Sequence, residues 1–136
     1  MKPTTLYAYH MKADQRPRAE VPLDFSPLVG NWINTKPDTS YLVRVVLTQQ
    51  DGHLIVRGYG VNESEPIDWG EVDAVPYAAG TSLMAGGFHA FYNLDRIETH
   101  LVANQKLGIL VIQSYTRYLD GSGRTSHFAR EFFHRL

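Results

Sequence analysis

Cysteine is absent from this 136-residue chain. A disulfide, a thiolate metal site and a cysteine nucleophile are therefore excluded, and a reducing compartment is permitted. Neither sign of charge is in excess: 13 Lys and Arg stand against 14 Asp and Glu, a net charge of −1. That balance supplies no counterion-release drive toward nucleic acid and no basic face for anionic lipid. Long apolar runs are missing as well. From Met1 to Pro22, six charged residues and three prolines interrupt any stretch of signal-peptide length, and no run is long enough to cross a bilayer as a helix. The expectation is a soluble cytoplasmic protein with neither a nucleic-acid nor a membrane partner. No segment of ten residues or more repeats with a helical period. Catalytic signatures are equally scarce. Gly121-Ser122-Gly123 is hairpin chemistry and not a nucleophile elbow, and Gly86-Gly87 precedes a strand and not the helix that a phosphate-cradling loop requires.

What is present is strand. Aromatic residues make up 12% of the chain, eight of them Tyr, which suits a pleated surface on which a ring body packs while a hydroxyl finds a partner. Tyr41 to Gln49 is rich in β-branched and aromatic residues, Asp51-Gly52 follows as a type I′ hairpin signal, and His53 to Val61 returns antiparallel. Gly58 and Gly60 within that return predict a bulge or a sharp bend. Further runs are Val29 to Thr35, Ile67 to Tyr77, Phe88 to Leu94, Ile97 to Asn104, Leu107 to Leu119 and Thr125 to Arg135. Ala78 to Gly87 reads as a loop of small residues and the candidate for a moving lid. About eight short strands with hairpin-length connections predict an all-β domain, a single up-and-down antiparallel barrel over 25–136. Residues 1–24 form an arm, expected to lie across the outside or cover one mouth.

At Gly30-Asn31-Trp32 the chain resembles the calycins, the lipocalin, fatty-acid-binding and avidin-like barrels. The resemblance implies that Trp32 plugs the barrel base beside Gly30, and that a C-terminal arginine, Arg130 or Arg135, lies across its indole. The run Ile67 to Val72, with Asp120 to Arg124, instead looks like small bacterial domains. Calycin-like barrels also include cofactor-free cyclases, so the resemblance permits an enzyme.

Alternation places every second residue of a barrel strand inside. In His53 to Val61 one face carries Leu54 and Val56, the other His53, Ile55, Arg57 and Tyr59. In Leu107 to Leu119 one face carries Ile109, Val111, Gln113, Tyr115 and Arg117, the other Leu110, Ile112, Ser114, Thr116 and Tyr118. Both faces mix apolar and polar residues, so which one points inward stays open. Candidate ligand contacts are Arg57, Trp69, His89, Tyr92, Tyr115 and Arg117. Candidate acid–base groups are Glu71, Tyr59 and His100. Arg57 is expected to pair with Glu71 while Trp69 stacks on a flat ligand; the alternative is an outer-surface ion pair with Trp69 in the core. The six histidines show neither His-x-His nor His-Glu-x-x-His spacing, so no metal and no cofactor is expected.

Two functions follow from a barrel with a polar-walled lumen. One is an intracellular protein that binds a partly apolar small molecule. The other is a cofactor-free cyclase, isomerase or lyase of polyketide-like metabolism, acting by substrate folding and acid–base polarisation. A protein–protein interaction module is a third. Phe132-Phe133 also admits a homodimer.

Overall fold

The computed structural model describes residues 16–136. The first fifteen positions of the expected arm, Leu6 to Tyr9 among them, lie outside the described residues. Eight strands follow in order: β1 (Gly30–Asn34), β2 (Leu42–Gln50), β3 (His53–Gly60), β4 (Ile67–Ala78), β5 (Ala85–Asn93), β6 (Ile97–Lys106), β7 (Ile109–Tyr118) and β8 (His127–Arg135). Each pairs antiparallel with its neighbour, and β1 closes on β8, with Trp32 opposite Arg135. The result is a closed, up-and-down, eight-stranded barrel. Among the described residues no helix is long and apolar enough to cross a membrane.

The turns explain the short connections. Asp51 and Gly52 both take positive φ, 51° and 78°, as a type I′ hairpin demands. Asp95-Arg96 does the same at 54° and 71°. Leu107, expected as the start of a strand, is instead a turn residue with φ 54°, followed by Gly108. Its side chain is 91% exposed, because the tight turn leaves it no face to pack against.

A second difference concerns the expected loop from Ala78 to Gly87. Strand β4 runs on through Ala78 and β5 begins at Ala85, so Gly86 and Gly87 belong to the sheet. The connection is clamped by Ala79 N–H to the Met84 carbonyl at 2.8 Å. The incoming chain clamps it again. Asp24 N–H donates to the Leu83 carbonyl at 2.7 Å, and Ala85 N–H donates to the Asp24 carbonyl at 2.8 Å.

At the base, Phe25 to Leu28 makes a hydrogen-bonded turn that inserts Phe25 and Leu28 into the core. Trp32 is fully buried there and donates its indole N–H to the Leu28 carbonyl at 2.8 Å. Of the two candidate arginines, Arg135 covers the indole, with its guanidinium carbon 4.4 Å from the ring centroid. Its fork also donates to the carbonyls of Ser26, Pro27 and Val29 at 2.8 to 3.2 Å. Gly30 makes the space: a Cβ there would stand 2.8 Å from Arg135 Nε. Arg130 points outward, over the Phe132 ring at 5.9 Å. Alternation decides between them, since Arg130 sits in register with Gln113 on the outer wall while Arg135 reaches past the end of the strand.

The glycines of β3 have a related purpose. The register slips between Arg57 and Tyr59, the expected bulge. Added Cβ atoms at Gly58 and Gly60 would meet the Trp69 ring at 3.1 and 2.6 Å. The second tryptophan therefore lies flat against bare backbone.

Arg135→Ala should lower unfolding free energy by about 2 kcal/mol, the sum of a partly exposed cation–π contact and charge-assisted bonds to three carbonyls. Arg135→Lys should recover less than half, because an ammonium has no planar fork. Urea denaturation followed by tryptophan fluorescence measures both; an Arg135→Ala midpoint equal to wild type would show that the contact carries no stability.

Candidate functional site

The closed barrel determines which face of each strand is the lining. Leu54 and Val56 of β3, and Leu110, Ile112, Ser114 and Thr116 of β7, are buried. Hence Arg57 and Tyr59, and Tyr115 and Arg117, stand on the outside. By the same alternation Glu71, His89 and His100 are outside and Tyr92 is inside, while the register slip between Arg57 and Tyr59 changes the phase of β4 and turns Trp69 toward the core.

This arrangement corrects the expectation of a polar-walled lumen holding a ligand between these residues. The interior is occupied by Trp32, Leu47, Phe88, Tyr92, Leu101 and Phe133 among others, all buried in one core. The interior of an eight-stranded barrel can be filled by side chains or hold one small ligand, and here large side chains occupy it. The polar groups at its upper end satisfy one another. Tyr41 Oη lies 2.5 Å from Thr99 Oγ1 and 2.9 Å from Thr116 Oγ1, and burial raises the Tyr41 pKa. Glu131 accepts from Asn34 Nδ2 at 2.8 Å, from Thr39 Oγ1, and from Leu42 N–H at 3.3 Å. Trp69 makes T-shaped contacts with Tyr41 and Tyr92, with ring centroids 5.3 and 5.4 Å apart.

Tyr92, expected as a ligand contact, bolts three strands together. Its hydroxyl accepts the Gly58 N–H at 2.9 Å and donates to the Gly70 carbonyl at 2.7 Å, with the Val56 carbonyl at 3.2 Å. Desolvation pushes its pKa up to about 12.

Outside, Arg57 stands opposite Glu71 in register but pairs with Asp68, donating from Nε at 3.0 and 3.1 Å. The bulge after Arg57 brings Asp68 within reach in place of Glu71. Both partners are substantially solvent-exposed, so the pair contributes little to stability. Hydrogen bonding from Arg57 holds the Asp68 pKa below its usual value. Tyr59 lies beneath Arg44, whose guanidinium carbon is 4.8 Å from the ring centroid. Glu71 and Tyr59 thus sit on the β3–β4 wall, and His100 sits on β6. The three acid–base candidates do not converge.

The remaining candidates do come together, on the outer wall of β4 to β8. Three cross-strand rows are in register. The first is Phe91, His100, Tyr115 and Phe128; the second is Val75, His89, Val102, Gln113 and Arg130; the third is Tyr77, Gly87, Asn104, Val111 and Phe132. Where the third row crosses Gly87 there is no side chain, and a groove of about 660 Å³ opens between Tyr77 and Asn104. Its walls are mostly apolar, with Ala78, Ala79 and Val102 beside a few polar tips. Tyr77 Oη bonds His89 Nδ1 at 2.7 Å along one edge. A second groove of about 400 Å³ lies farther up, lined by Tyr115, Arg117, Ser126, His127 and Phe128, and His100 borders both.

Sequence reading named His89, His100, Tyr115 and Arg117 but missed Tyr77, Val102, Asn104, His127 and Phe128. The missing signal was parity: Val75 and Tyr77 alternate outward on β4, as His100, Val102 and Asn104 do on β6. Set against known proteins, the chain matches no family model, no curated protein and no solved structure.

Tyr92→Phe should cost about 1–3 kcal/mol, since it strands the buried Gly58 N–H and Gly70 carbonyl. The wild-type phenol titrates higher folded than unfolded, where its pKa is about 10. Its contribution is therefore complete below pH 10 and is lost as pH rises toward 12. Urea midpoints at pH 8 and pH 11 should fall more steeply for wild type than for Tyr92→Phe; parallel lines would refute the assignment.

Proposed function

We propose that this barrel is a small-molecule-binding protein whose ligand lies on the outside of the sheet, in the groove above Gly86 and Gly87. The observation that carries this reading is the groove itself. It has the size of a small-ligand site, a largely apolar lining and one convergent polar pair, Tyr77 with His89. The ligand it fits is flat or slender and mostly apolar, with a group that bonds to the phenol or the imidazole. Kinship with the calycins belongs to the same reading and is supported by the Gly30, Trp32 and Arg135 assembly at the base. So does a cytoplasmic setting, supported by the lack of cysteine.

A protein–protein role for the same wall, including a homodimer, is the second reading. Phe128 is 64% exposed and Phe132 44%, two large rings on the outward face of β8, and exposed apolar surface marks contact sites. Acid–base catalysis has less support, because Glu71, Tyr59 and His100 stand apart.

The neutral dye Nile red provides a test. Saturable binding at one site is expected, weakened about tenfold or more by Asn104→Trp, which fills the notch; tenfold corresponds to about 1.4 kcal/mol. Thr48→Trp, on the far wall, should leave the affinity unchanged. Equal affinities for Asn104→Trp and wild type would sink the groove as the site. Sedimentation at rising concentration separates the second reading: a dimer dispersed by Phe128→Asp would favour it.

A further inference from the structure

We infer that the two grooves form one continuous trough, and that it selects an elongated apolar molecule ending in an acidic group, with Arg117 as the acid's partner. The inference rests on the groove proposed above and adds the class of ligand.

Continuity comes from His100, which borders both grooves. The lower groove begins at Asn104 and Gln105, near the end of β6, while Arg117 stands opposite Glu98 at the start of that strand. Asn104 lies six positions along the strand from Glu98, a span on the order of 20 Å. A compact molecule fills one groove; a slender one fills both.

Chemistry changes along this line. At the lower end the walls are Ala78, Ala79, Val102 and bare glycine, and they bind by burial alone. At the middle His100 leans on Phe91, with ring centroids 4.7 Å apart. At the upper end Tyr115 and Phe128 stack with centroids 6.1 Å apart, and beside them are Arg117, Ser126 and His127. Among the described residues no carboxylate lines this upper groove. Its charged member is a cation, and every polar side chain in it can donate.

Arg117 is available to a ligand. Its ion pair with Glu98 spans 3.8 Å, and its side chain is 63% exposed. The guanidinium can turn toward the groove without breaking a close hydrogen bond. A carboxylate, sulfonate or phosphate would be met there by the planar fork, in a charge-assisted pair roughly twice as strong as a neutral one. The nearby Arg124 is already engaged: it lies over Tyr118 at 4.0 Å and bonds Asp120 at 3.1 Å. It therefore does not compete for the role.

The test compares 11-(dansylamino)undecanoic acid with its methyl ester by fluorescence titration on the full chain. The acid should bind about tenfold more tightly than the ester. Arg117→Gln should erase that preference, and Arg117→Lys should restore part of it. Glu98→Gln should tighten acid binding, since it removes the competing carboxylate. Circular dichroism of each variant confirms folding, which an exposed position tolerates. Equal binding of acid and ester to wild type, or a preference that survives Arg117→Gln, overturns the inference while the groove stands. Ester binding insensitive to Asn104→Trp would instead overturn the groove.

Discussion

One contact at the base holds the cylinder closed. The guanidinium of Arg135 covers the indole of Trp32 and reaches three carbonyls of the segment entering β1. Among the described residues, the first and last strands are the neighbours that no direct connection joins, so their pairing relies on side chains and ladder bonds. Trp32 opposite Arg135, with Gly30 clearing the space, supplies that join. Closure has a further consequence. A sheet without edges has no unpaired row of backbone groups to recruit another strand, so any partner must be recognised by side chains on the outer wall.

Closure also decides what the inside can do. With eight strands there is room for one layer of side chains from each wall, and large rings take most of it. Trp69 lies against the glycines of β3 and touches Tyr41 and Tyr92, while Tyr92 fastens β3 and β4 through its hydroxyl. The buried hydroxyls and Glu131 find partners within the wall instead of waiting for a ligand. On the exterior, Gly87 interrupts a row of side chains, with a groove flanked by Tyr77 and Asn104.

The outer wall is chemically uneven, and that unevenness supports a reading of function. The β3–β4 side carries exposed charges that pair locally, Arg57 with Asp68. The β5–β8 side carries aromatic and aliphatic groups in register, with Arg117 near one end. Exposed rings cost solvation free energy unless something covers them part of the time.

Local chemistry in the chain was enough for the fold. Asp51-Gly52 falls in a turn because positive φ is cheap there, alternating runs form strands because period two buries one face, and Gly30-Asn31-Trp32 marks the first of them. Even the bulge at Gly58 follows from a glycine inside a strand. Leu107 went unrecognised because a leucine has no turn preference of its own, although Gly108 beside it takes positive φ, and Gly86-Gly87 was mistaken for a loop because small residues carry little strand propensity. The candidate site was legible only in pieces. His89, His100, Tyr115 and Arg117 were named, yet both faces of their strands mix polar and apolar residues, so inside and outside were indistinguishable until closure had selected Leu110, Ile112, Ser114 and Thr116 for the core. A strand's sequence records its alternation. Which phase of that alternation faces the axis depends on the volume left by seven other strands, and only packing in three dimensions sets that volume.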